Sequence, residues 1–165
     1  MEFTTYTDGA CSGNRKESNC PGGYGYIILD PGNNIILQGG SSCDNTTNNK
    51  MEMMGVIKGM LHLKNILNHE YDGASKHDCI IKTDSRYVMD NFNDYLSIWK
   101  KNGWKKSKGS KVLNKDLWIE LDKLTPEFRS LKMVWVKAHA RNKWNNLVDS
   151  IAQGYTKRSK LQPQT

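Results

Sequence analysis

The order of hydrophobic patterns along the chain constrains its fold more than any other feature of the sequence. Three short segments rich in β-branched and aromatic residues come first, at 3–7, 24–29 and 35–38, with glycine, proline and asparagine between them. Short β-prone runs separated by turn-forming residues are typical of antiparallel hairpins. We therefore predict that the chain opens with three antiparallel strands.

The middle and the end of the chain change to helical spacing. Apolar residues recur at intervals of three and four from 47 to 67, after a polar run that favours the start of a helix. A short apolar run at 79–81 predicts a strand, and two short helices are predicted after it, within 87–99. The remaining predicted elements are a helix at 117–124, a strand at 131–136 and a helix at 144–155. This succession indicates one α/β domain.

The length and the charge of the chain narrow its possible partners. A chain of 165 residues can bury the core of a single domain, and a net charge of +7 favours a polyanionic partner such as nucleic acid or an acidic membrane surface. No apolar run approaches the roughly 18 residues of a membrane span, and the N-terminus lacks the pattern of a signal peptide. We expect a soluble cytoplasmic protein, or a nuclear or organellar one if the source is eukaryotic.

The four cysteines do not form a metal-binding pattern. Cys11, Cys20, Cys43 and Cys79 include no Cys-x-x-Cys pair, and no closely spaced histidine pair accompanies them. A zinc site is therefore not expected. An even number of cysteines does not imply disulfides in a chain of this length, so we expect reduced thiols with mostly structural roles.

Four carboxylates lie where predicted elements change or beside an apolar helix face. Asp8 and Asp84 follow two predicted strands, whereas Glu52 and Asp149 lie in two predicted helices. Ligand sites of sheets with βαβ connections form outside the carboxyl ends of the strands, so Asp8 and Asp84 converge if their strands are neighbours. Converging carboxylates repel one another unless they coordinate a divalent cation, and Mg²⁺ suits oxygen ligands and substrate phosphates. Two such ions about 4 Å apart activate water for phosphodiester hydrolysis.

Each carboxylate also has a structural interpretation. Asp8 precedes a glycine, which is a turn signal, and Glu52 lies three residues after Asn49, the spacing of a capping box. Asp84 can cap the helix that follows it, and Asp149 can be a solvated helix position. Spacing alone leaves these alternatives open.

Six sequence motifs follow one another across about residues 3–155. They are TDGACSGN (7–14), PGGYG (21–25), TTNNKMEM (46–53), TDSRYV (83–88), WKKNGWKKSKGSKVLNKDLW (99–118) and VKAHARNKWNNLVDSIA (136–152). In order and approximate spacing, they resemble the successive signatures of ribonuclease HI, the type 1 ribonuclease H family. The resemblance covers nearly the whole chain.

The resemblance implies a ribonuclease H-like fold, a five-stranded mixed sheet flanked by helices. It implies an endonuclease that cuts the RNA strand of RNA–DNA hybrids with two Mg²⁺ ions, or with Mn²⁺ as a substitute, and leaves 5′-phosphate and 3′-hydroxyl ends. Asp8, Glu52, Asp84 and Asp149 fall on the family's metal-binding carboxylates. His139 falls on a mobile histidine that assists proton transfer or product release. We expect the catalytic domain at 1–156 and a polar, frayed tail at 157–165.

Substrate-binding positions also carry over from these motifs. Gly9, Ala10, Asn14 and Asn48 match places that contact the RNA strand and its 2′-hydroxyl groups, by which a protein distinguishes RNA from DNA. Thr47 matches a contact with a DNA phosphate, and a helix N-cap is its alternative interpretation.

The sequence departs from the family pattern at three places. The loop at 15–20 is longer, Arg86 stands where the family commonly has glutamine, and Ala138 replaces the usual glycine before the histidine. The longer loop and Arg86 can change contacts in the groove, so we include Arg86 among the substrate-binding residues. Ala138 can stiffen the histidine loop.

Residues 99–116 form a basic stretch that matches the family's protrusion for gripping the DNA strand. Seven lysines concentrate positive charge around Trp104, a composition suited to phosphate contacts, and a solvated charged loop is the alternative. We expect Trp99, Trp104 and Trp118 to be packing anchors. The predicted substrate-binding residues of the stretch are Lys100, Lys101, Trp104, Lys105, Lys106 and Lys108.

Two other functions remain open from the sequence. One is another nuclease, a strand-transfer enzyme or a reverse-transcriptase domain with the same fold, and the other is a non-catalytic nucleic-acid-binding module. Four acids together with His139 argue against the binding module, and the basic stretch favours a type 1 ribonuclease H. Met1 directly before the first strand favours a stand-alone product. We expect a monomer and no protein partner.

Overall fold

A computed structural model of the chain describes residues 1–13, 20–106, 109–138 and 140–161. For residues 160 and 161 it describes the backbone alone. Within these ranges, five strands form one mixed sheet in the order β3-β2-β1-β4-β5. The strands are β1 (Glu2–Cys11), β2 (Cys20–Leu29), β3 (Ile35–Thr46), β4 (Asp78–Thr83) and β5 (Ser130–Trp135). The fold is α/β, as the sequence predicts, and its first three strands are antiparallel.

The helices lie between and around these strands. They are α1 (Asn48–Glu70), α2 (Arg86–Asp90), α3 (Leu96–Lys101), α4 (Lys115–Leu124) and α5 (Lys143–Leu161), with a π-helical turn at Asn91–Tyr95 between α2 and α3. Short 3₁₀ turns at Ala74–Lys76 and Thr125–Glu127 lead into β4 and β5. Within the described ranges, no helix is both long and apolar enough to cross a membrane.

The register of the parallel strands decides where the strand ends meet. β4 pairs in parallel with β1, and Thr7 lies opposite Thr83. β5 pairs in parallel with β4, and Thr83 lies opposite Trp135. Asp8 and Asp84 each follow one member of the Thr7–Thr83 pair, so the register brings both carboxylates to the same end of the sheet.

The sheet is covered by α1 on one face and by α5 on the other. The buried face of α1 includes Met53, Val56 and Met60, which belong to the same core as Phe3 and many other apolar residues. A smaller core forms under α5 from Val148 with residues of β1 and β2. Burial of apolar side chains on both faces is the main source of stability and fixes the positions of the two helices relative to β1.

Close contact between α1 and the sheet depends on glycine. A side-chain carbon at Gly55 would lie 3.1 Å from the carbonyl oxygen of Asp8, and one at Gly59 would lie 2.8 Å from a methyl group of Thr5. Any larger side chain at these positions would push α1 away from β1. Trp99 and Trp118 are buried in the core next to α1, which confirms the prediction that they are packing anchors.

The prediction of four reduced cysteines is wrong for two of them. Cys11 and Cys20 form a disulfide between β1 and β2, with their Cα atoms 6.1 Å apart, whereas Cys43 and Cys79 are free. Antiparallel pairing brings these two strand ends together, because Cys11 lies opposite Gly22, two residues after Cys20. The disulfide can form because β1 extends beyond its apolar pattern as far as Cys11.

We expect loss of this disulfide to lower the free energy of unfolding by roughly 2–3 kcal/mol, because it closes a loop of about ten residues in the unfolded chain. Urea unfolding with and without dithiothreitol measures the effect. A variant with both Cys11→Ser and Cys20→Ser should be insensitive to the reductant, and Cys43→Ser is the matched control. Equal stability of the wild type in both conditions would contradict the presence of the bond.

The prediction of a frayed tail from 157 onward is also wrong for its first part. α5 continues to Leu161, and the hydroxyl group of Ser159 donates to the carbonyl oxygen of Cys43 at 3.2 Å and to Oδ1 of Asp44 at 2.8 Å. These contacts with β3 fasten the end of the helix to the sheet. The remaining tail residues, 162–165, lie outside the described residues.

Candidate active site

Three of the four predicted carboxylates meet at the end of the sheet where β1 and β4 are neighbours. Asp8 lies in β1, Glu52 in the second turn of α1, and Asp84 directly after β4. One oxygen atom from each lies within 4.8 Å of the others. Asp8 and Glu52 are buried, and Asp84 is half-buried. The parallel pairing of β1 with β4 and the packing of α1 on β1 create this cluster.

The backbone of Gly9 links two of these carboxylates. Its N–H donates to Oε1 of Glu52 at 2.8 Å and to Oδ1 of Asp8 at 2.9 Å. A side-chain carbon at Gly9 would collide with the backbone of Met51 and Glu52. Glycine at this position therefore allows α1 to lie against β1 and holds the Glu52 carboxylate beside Asp8.

The structural interpretations of these three carboxylates do not agree with the geometry. Asp8 lies within β1 opposite Gly25 and not in a turn. The N-cap of α1 is Thr47, whose hydroxyl group accepts the backbone N–H of Lys50 at 3.2 Å, so Glu52 lies beyond the position of a capping-box acid. Ser85 caps α2, as its hydroxyl group accepts the N–H of Val88 at 3.1 Å. Capping does not require Asp84.

Burial is the main cause of the raised pKa values in the cluster. Removal from water raises the pKa of Asp8, and the nearby carboxylate of Glu52 raises it further. The pKa values of Glu52 and Asp84 are also raised, in both cases mainly by burial. Three carboxyl groups that resist ionisation together have a strong electrostatic preference for a nearby cation.

The donor atoms fit a divalent metal ion. Oε2 of Glu52 is buried and has no hydrogen-bond partner among the described residues. A buried carboxylate oxygen without a partner is costly unless a cation or water binds it. A set of ligands made only of oxygen matches the preference of Mg²⁺ and Mn²⁺.

Asp149 lies outside the group of three but next to it. It is half-buried on α5, next to the buried Val148. Its side chain contributes to the raised pKa of Asp8, after burial and the charges of Glu52 and Asp84. Asp149 therefore stays a predicted ligand, which affects Asp8 from outside the group of three.

Asn145 is a residue of this site that the sequence patterns did not single out. It is buried in the first turn of α5, and its side chain lowers the pKa of Asp84, against the larger effect of burial. Its Oδ1 has no hydrogen-bond partner among the described residues. Its position four residues before Asp149 is the signal that could have revealed it, because residues at this spacing share one face of a helix.

Four predicted substrate-binding residues lie close to the cluster carboxylates in the sequence. Ala10 continues β1 and is buried, Asn48 is the exposed first residue of α1, and Thr47 is half-buried and caps this helix. Arg86 is exposed at the start of α2. Each of them lies within five residues of a cluster carboxylate along the chain.

The basic stretch begins in α3 and reaches the start of α4, and most of its described residues are exposed. Lys101, Lys105 and Lys106 are exposed, and Trp104 is half-buried against the core. Lys100 is also exposed, but its Nζ lies 3.2 Å from Oδ1 of Asp122. That ion pair makes Lys100 less available to a phosphate than the other lysines. Three predicted residues lie outside the described residues, namely Asn14, Lys108 and His139.

Comparison of the whole fold with solved structures gives the class of protein. The crystal structure of LC9-RNase H1, described as a type 1 RNase H with the type 2 active-site motif, has a TM-score of 0.77 and 26% sequence identity, and the match covers 96% of this chain and 73% of that one. LC11-RNase H1 in complex with RNA/DNA hybrid has a TM-score of 0.69 at 16% identity, over 96% and 99% of the two chains. The second likeness concerns the fold alone.

Sequence relatives lead to the same family. The chain is 42% identical to a ribonuclease H of Prochlorococcus marinus (strain NATL1A), over 98% of this chain and 92% of that protein. It is 39% identical to a ribonuclease H of Anaplasma marginale (strain St. Maries), over 96% and 92% of the two proteins. The RNase H family model matches residues 1–156. The chain belongs to the RNase H family, which is a family of hydrolases.

Proposed function

We propose that this protein is an endoribonuclease that hydrolyses the RNA strand of RNA–DNA hybrids. The observation that carries the proposal is the cluster of Asp8, Glu52 and Asp84 at one end of the sheet, in a chain of the RNase H family. The relatives at about 40% identity are named ribonuclease H, and this name supports the same class of substrate.

We propose that the metal ligands are the carboxylates of Asp8, Glu52, Asp84 and Asp149. Two Mg²⁺ ions held by these carboxylates would supply Lewis-acid activation of the attacking water and stabilisation of the leaving oxygen. The protein fixes the carboxylates before the metal arrives, because Gly9 holds Glu52 and the parallel strands hold the two aspartates. Asn145 favours the ionised form of Asp84, against the effect of burial.

The roles of the other predicted residues belong to the same proposal. His139 assists proton transfer or product release, and Gly9, Ala10, Asn14 and Asn48 contact the RNA strand. Thr47 contacts a phosphate of the DNA strand with the N-terminus of α1, where the helix dipole favours anions. The catalytic domain covers 1–156 and acts as a monomer.

Cleavage of labelled duplexes tests the proposed substrate. RNA–DNA hybrid, double-stranded RNA and double-stranded DNA of one sequence are each incubated with Mg²⁺ or with EDTA. We expect cleavage of the RNA strand of the hybrid, with Mg²⁺ only. Equal cleavage of double-stranded DNA, or full activity in EDTA, would refute the proposal.

We expect the basic stretch to contribute to binding and not to chemistry. Lys105→Ala together with Lys106→Ala should raise KM for the hybrid roughly 2- to 30-fold with nearly unchanged kcat, as expected for two exposed ion contacts. The slope of log K against log salt should flatten by roughly 0.9 for each phosphate that the variant no longer neutralises, in a duplex of B-like charge density. Steady-state kinetics and fluorescence anisotropy at several salt concentrations measure both effects.

The matched control replaces two other exposed lysines, Lys76 and Lys123, which precede β4 and end α4. This variant removes the same charge and should keep the KM and the salt slope of the wild type. An equal rise of KM in the control would mean that only net charge matters. A fall of kcat at saturating hybrid in the Lys105 and Lys106 variant would place the stretch at the reacting atoms instead.

A further inference from the structure

Arg86 is held in an unusual way for an exposed arginine. It is the first residue of α2, two positions after Asp84, and its guanidinium carbon lies 4.1 Å from the centroid of the Trp135 ring. Among the described residues, no carboxylate forms an ion pair with it. The charge of Arg86 is therefore fixed in place without being neutralised.

Trp135 contacts both Arg86 and Asp84. It is the last residue of β5 and lies opposite Thr83 in the sheet. Its indole N–H donates to the carbonyl oxygen of Asp84 at 3.3 Å, while the face of its ring supports the guanidinium of Arg86. The Trp135 side chain thus contacts both the backbone of Asp84 and the guanidinium group of Arg86.

The geometry of the stack leaves the donors of Arg86 free. A guanidinium has five N–H donors in its plane, and stacking uses its face and not its edge. An arginine whose conformation is already restricted by an aromatic ring loses less freedom when it binds an anion. The two N–H groups of a guanidinium edge match two oxygens of a phosphate group.

We propose that Trp135 is a positioning residue, which holds Arg86 as a fixed phosphate-binding cation beside the carboxylate cluster. The ligand is a backbone phosphate of the hybrid next to the one that is cleaved. The inference rests on the proposed function and deepens it, because it assigns a role to Trp135 and a mode of action to Arg86. A glutamine at position 86 could donate to such a phosphate but could not neutralise it.

Four single variants separate the two contacts of Trp135. Arg86→Gln removes the cation, and Arg86→Lys keeps the charge without the planar group. Trp135→Leu removes both contacts, whereas Trp135→Phe keeps a ring under Arg86 and removes only the N–H donor to Asp84. Circular dichroism identifies any variant that does not fold, and Arg86→Gln on the exposed surface provides a test that does not depend on the core.

We expect Arg86→Gln to weaken hybrid binding and raise KM by roughly 3- to 30-fold, with kcat changed less than about twofold, because the substitution removes a binding group and not a reacting group. The salt dependence of binding should flatten by about one phosphate contact. Trp135→Leu should give the same rise in KM, Trp135→Phe should restore most of the affinity, and Arg86→Lys should fall between Arg86→Gln and the wild type.

A double-mutant cycle gives the decisive outcome. Because Trp135 acts through Arg86, the double variant Arg86→Gln with Trp135→Leu should bind hybrid no more weakly than either single variant. Additive losses, equal defects in Trp135→Leu and Trp135→Phe, or wild-type affinity of Arg86→Gln would each overturn the proposal. Anisotropy of a labelled hybrid in EDTA measures binding without turnover, so this test remains separate from the cleavage assay of the proposed function.

Discussion

Asp8→Asn and Asp84→Asn are each expected to reduce cleavage of the hybrid by at least roughly 10³-fold, because a metal ion supplies several kcal/mol of transition-state stabilisation in such a site. An amide removes the charge and one ligand oxygen while it keeps the size of the side chain. Single-turnover cleavage with saturating Mg²⁺ and hybrid measures the loss. Activity of either variant above a few per cent of the wild type would show that the carboxylate replaced in it is not required.

The same variants should be folded, and more stable than the wild type when metal is absent. Burial and the neighbouring carboxylate raise the pKa of Asp8, so the folded protein binds this proton more tightly than the unfolded chain does. The metal-free wild type therefore loses stability as the pH rises above the unfolded pKa of aspartate, and Asp8→Asn removes this loss. Melting curves in EDTA should show a higher Tm for the variant at neutral pH.

A matched control distinguishes the cluster from net charge. Asp94 is exposed in the π-helical turn, and Asp94→Asn removes the same charge. This variant should keep the activity of the wild type and its Tm in EDTA. A lower Tm for Asp8→Asn together with a loss of the circular-dichroism signal would instead give Asp8 a structural role.

His139→Ala is expected to slow cleavage by roughly 10²- to 10⁴-fold or less, the usual contribution of a group that transfers a proton. His139 lies four residues after the end of β5 in the sequence and precedes Asp149 by ten residues. The defect should be smaller than that of the aspartate variants, because the metal ligands remain in place. A rate equal to that of the wild type would remove His139 from the mechanism.

Two kinetic regimes separate the possible roles of His139. A proton-transfer role slows both the single-turnover and the multiple-turnover reaction, whereas a role in product release slows only multiple turnover. His69→Ala is the control, because His69 is exposed at the end of α1 and its Nδ1 lies 2.7 Å from the backbone carbonyl oxygen of Asn65, one turn earlier in the helix. Its activity should equal that of the wild type in both regimes.

The sequence predicted the order of the elements better than the places where they meet. Asp8 and Asp84 could be placed at strand ends from local patterns, but their convergence depends on the parallel pairing of β1 with β4. Residues 7 and 83 are far apart in the chain, and no local pattern specifies that they pair. The pairing could be expected only from the resemblance to the ribonuclease H family, and not from the residue patterns themselves.

Glu52 illustrates a second limit of local patterns. Its spacing from Asn49 suggested a cap, yet the helix begins at Asn48 after the N-cap Thr47. The contact with Gly9 arises because glycines at the interface allow α1 to approach β1. This approach is a property of two packed elements, so hydrophobic spacing within α1 could not reveal it. The same is true of Asn145, whose partner Asp84 belongs to another element.

The two wrong predictions, reduced thiols at Cys11 and Cys20 and a frayed tail from residue 157, have a related cause. β1 extends to Cys11 because β2 continues to pair with it through Gly22 and Gly23, which have no apolar pattern. α5 extends to Leu161 although the sequence is polar there, and Ser159 contacts Cys43 and Asp44 of β3. In both cases tertiary hydrogen bonds or strand pairing extend an element beyond its hydrophobic signal.

The chemistry of the product ends tests the central claim most directly. Hybrid is cleaved by the wild type with Mg²⁺ in water enriched in ¹⁸O, and the RNA fragments are analysed by mass spectrometry. Attack by a metal-activated water predicts 3′-hydroxyl ends and 5′-phosphates that each carry one ¹⁸O atom from a single cleavage event. Fragments that end in a 2′,3′-cyclic phosphate, with no ¹⁸O in the 5′ product, would show attack by the RNA's own 2′-hydroxyl group and would contradict the account.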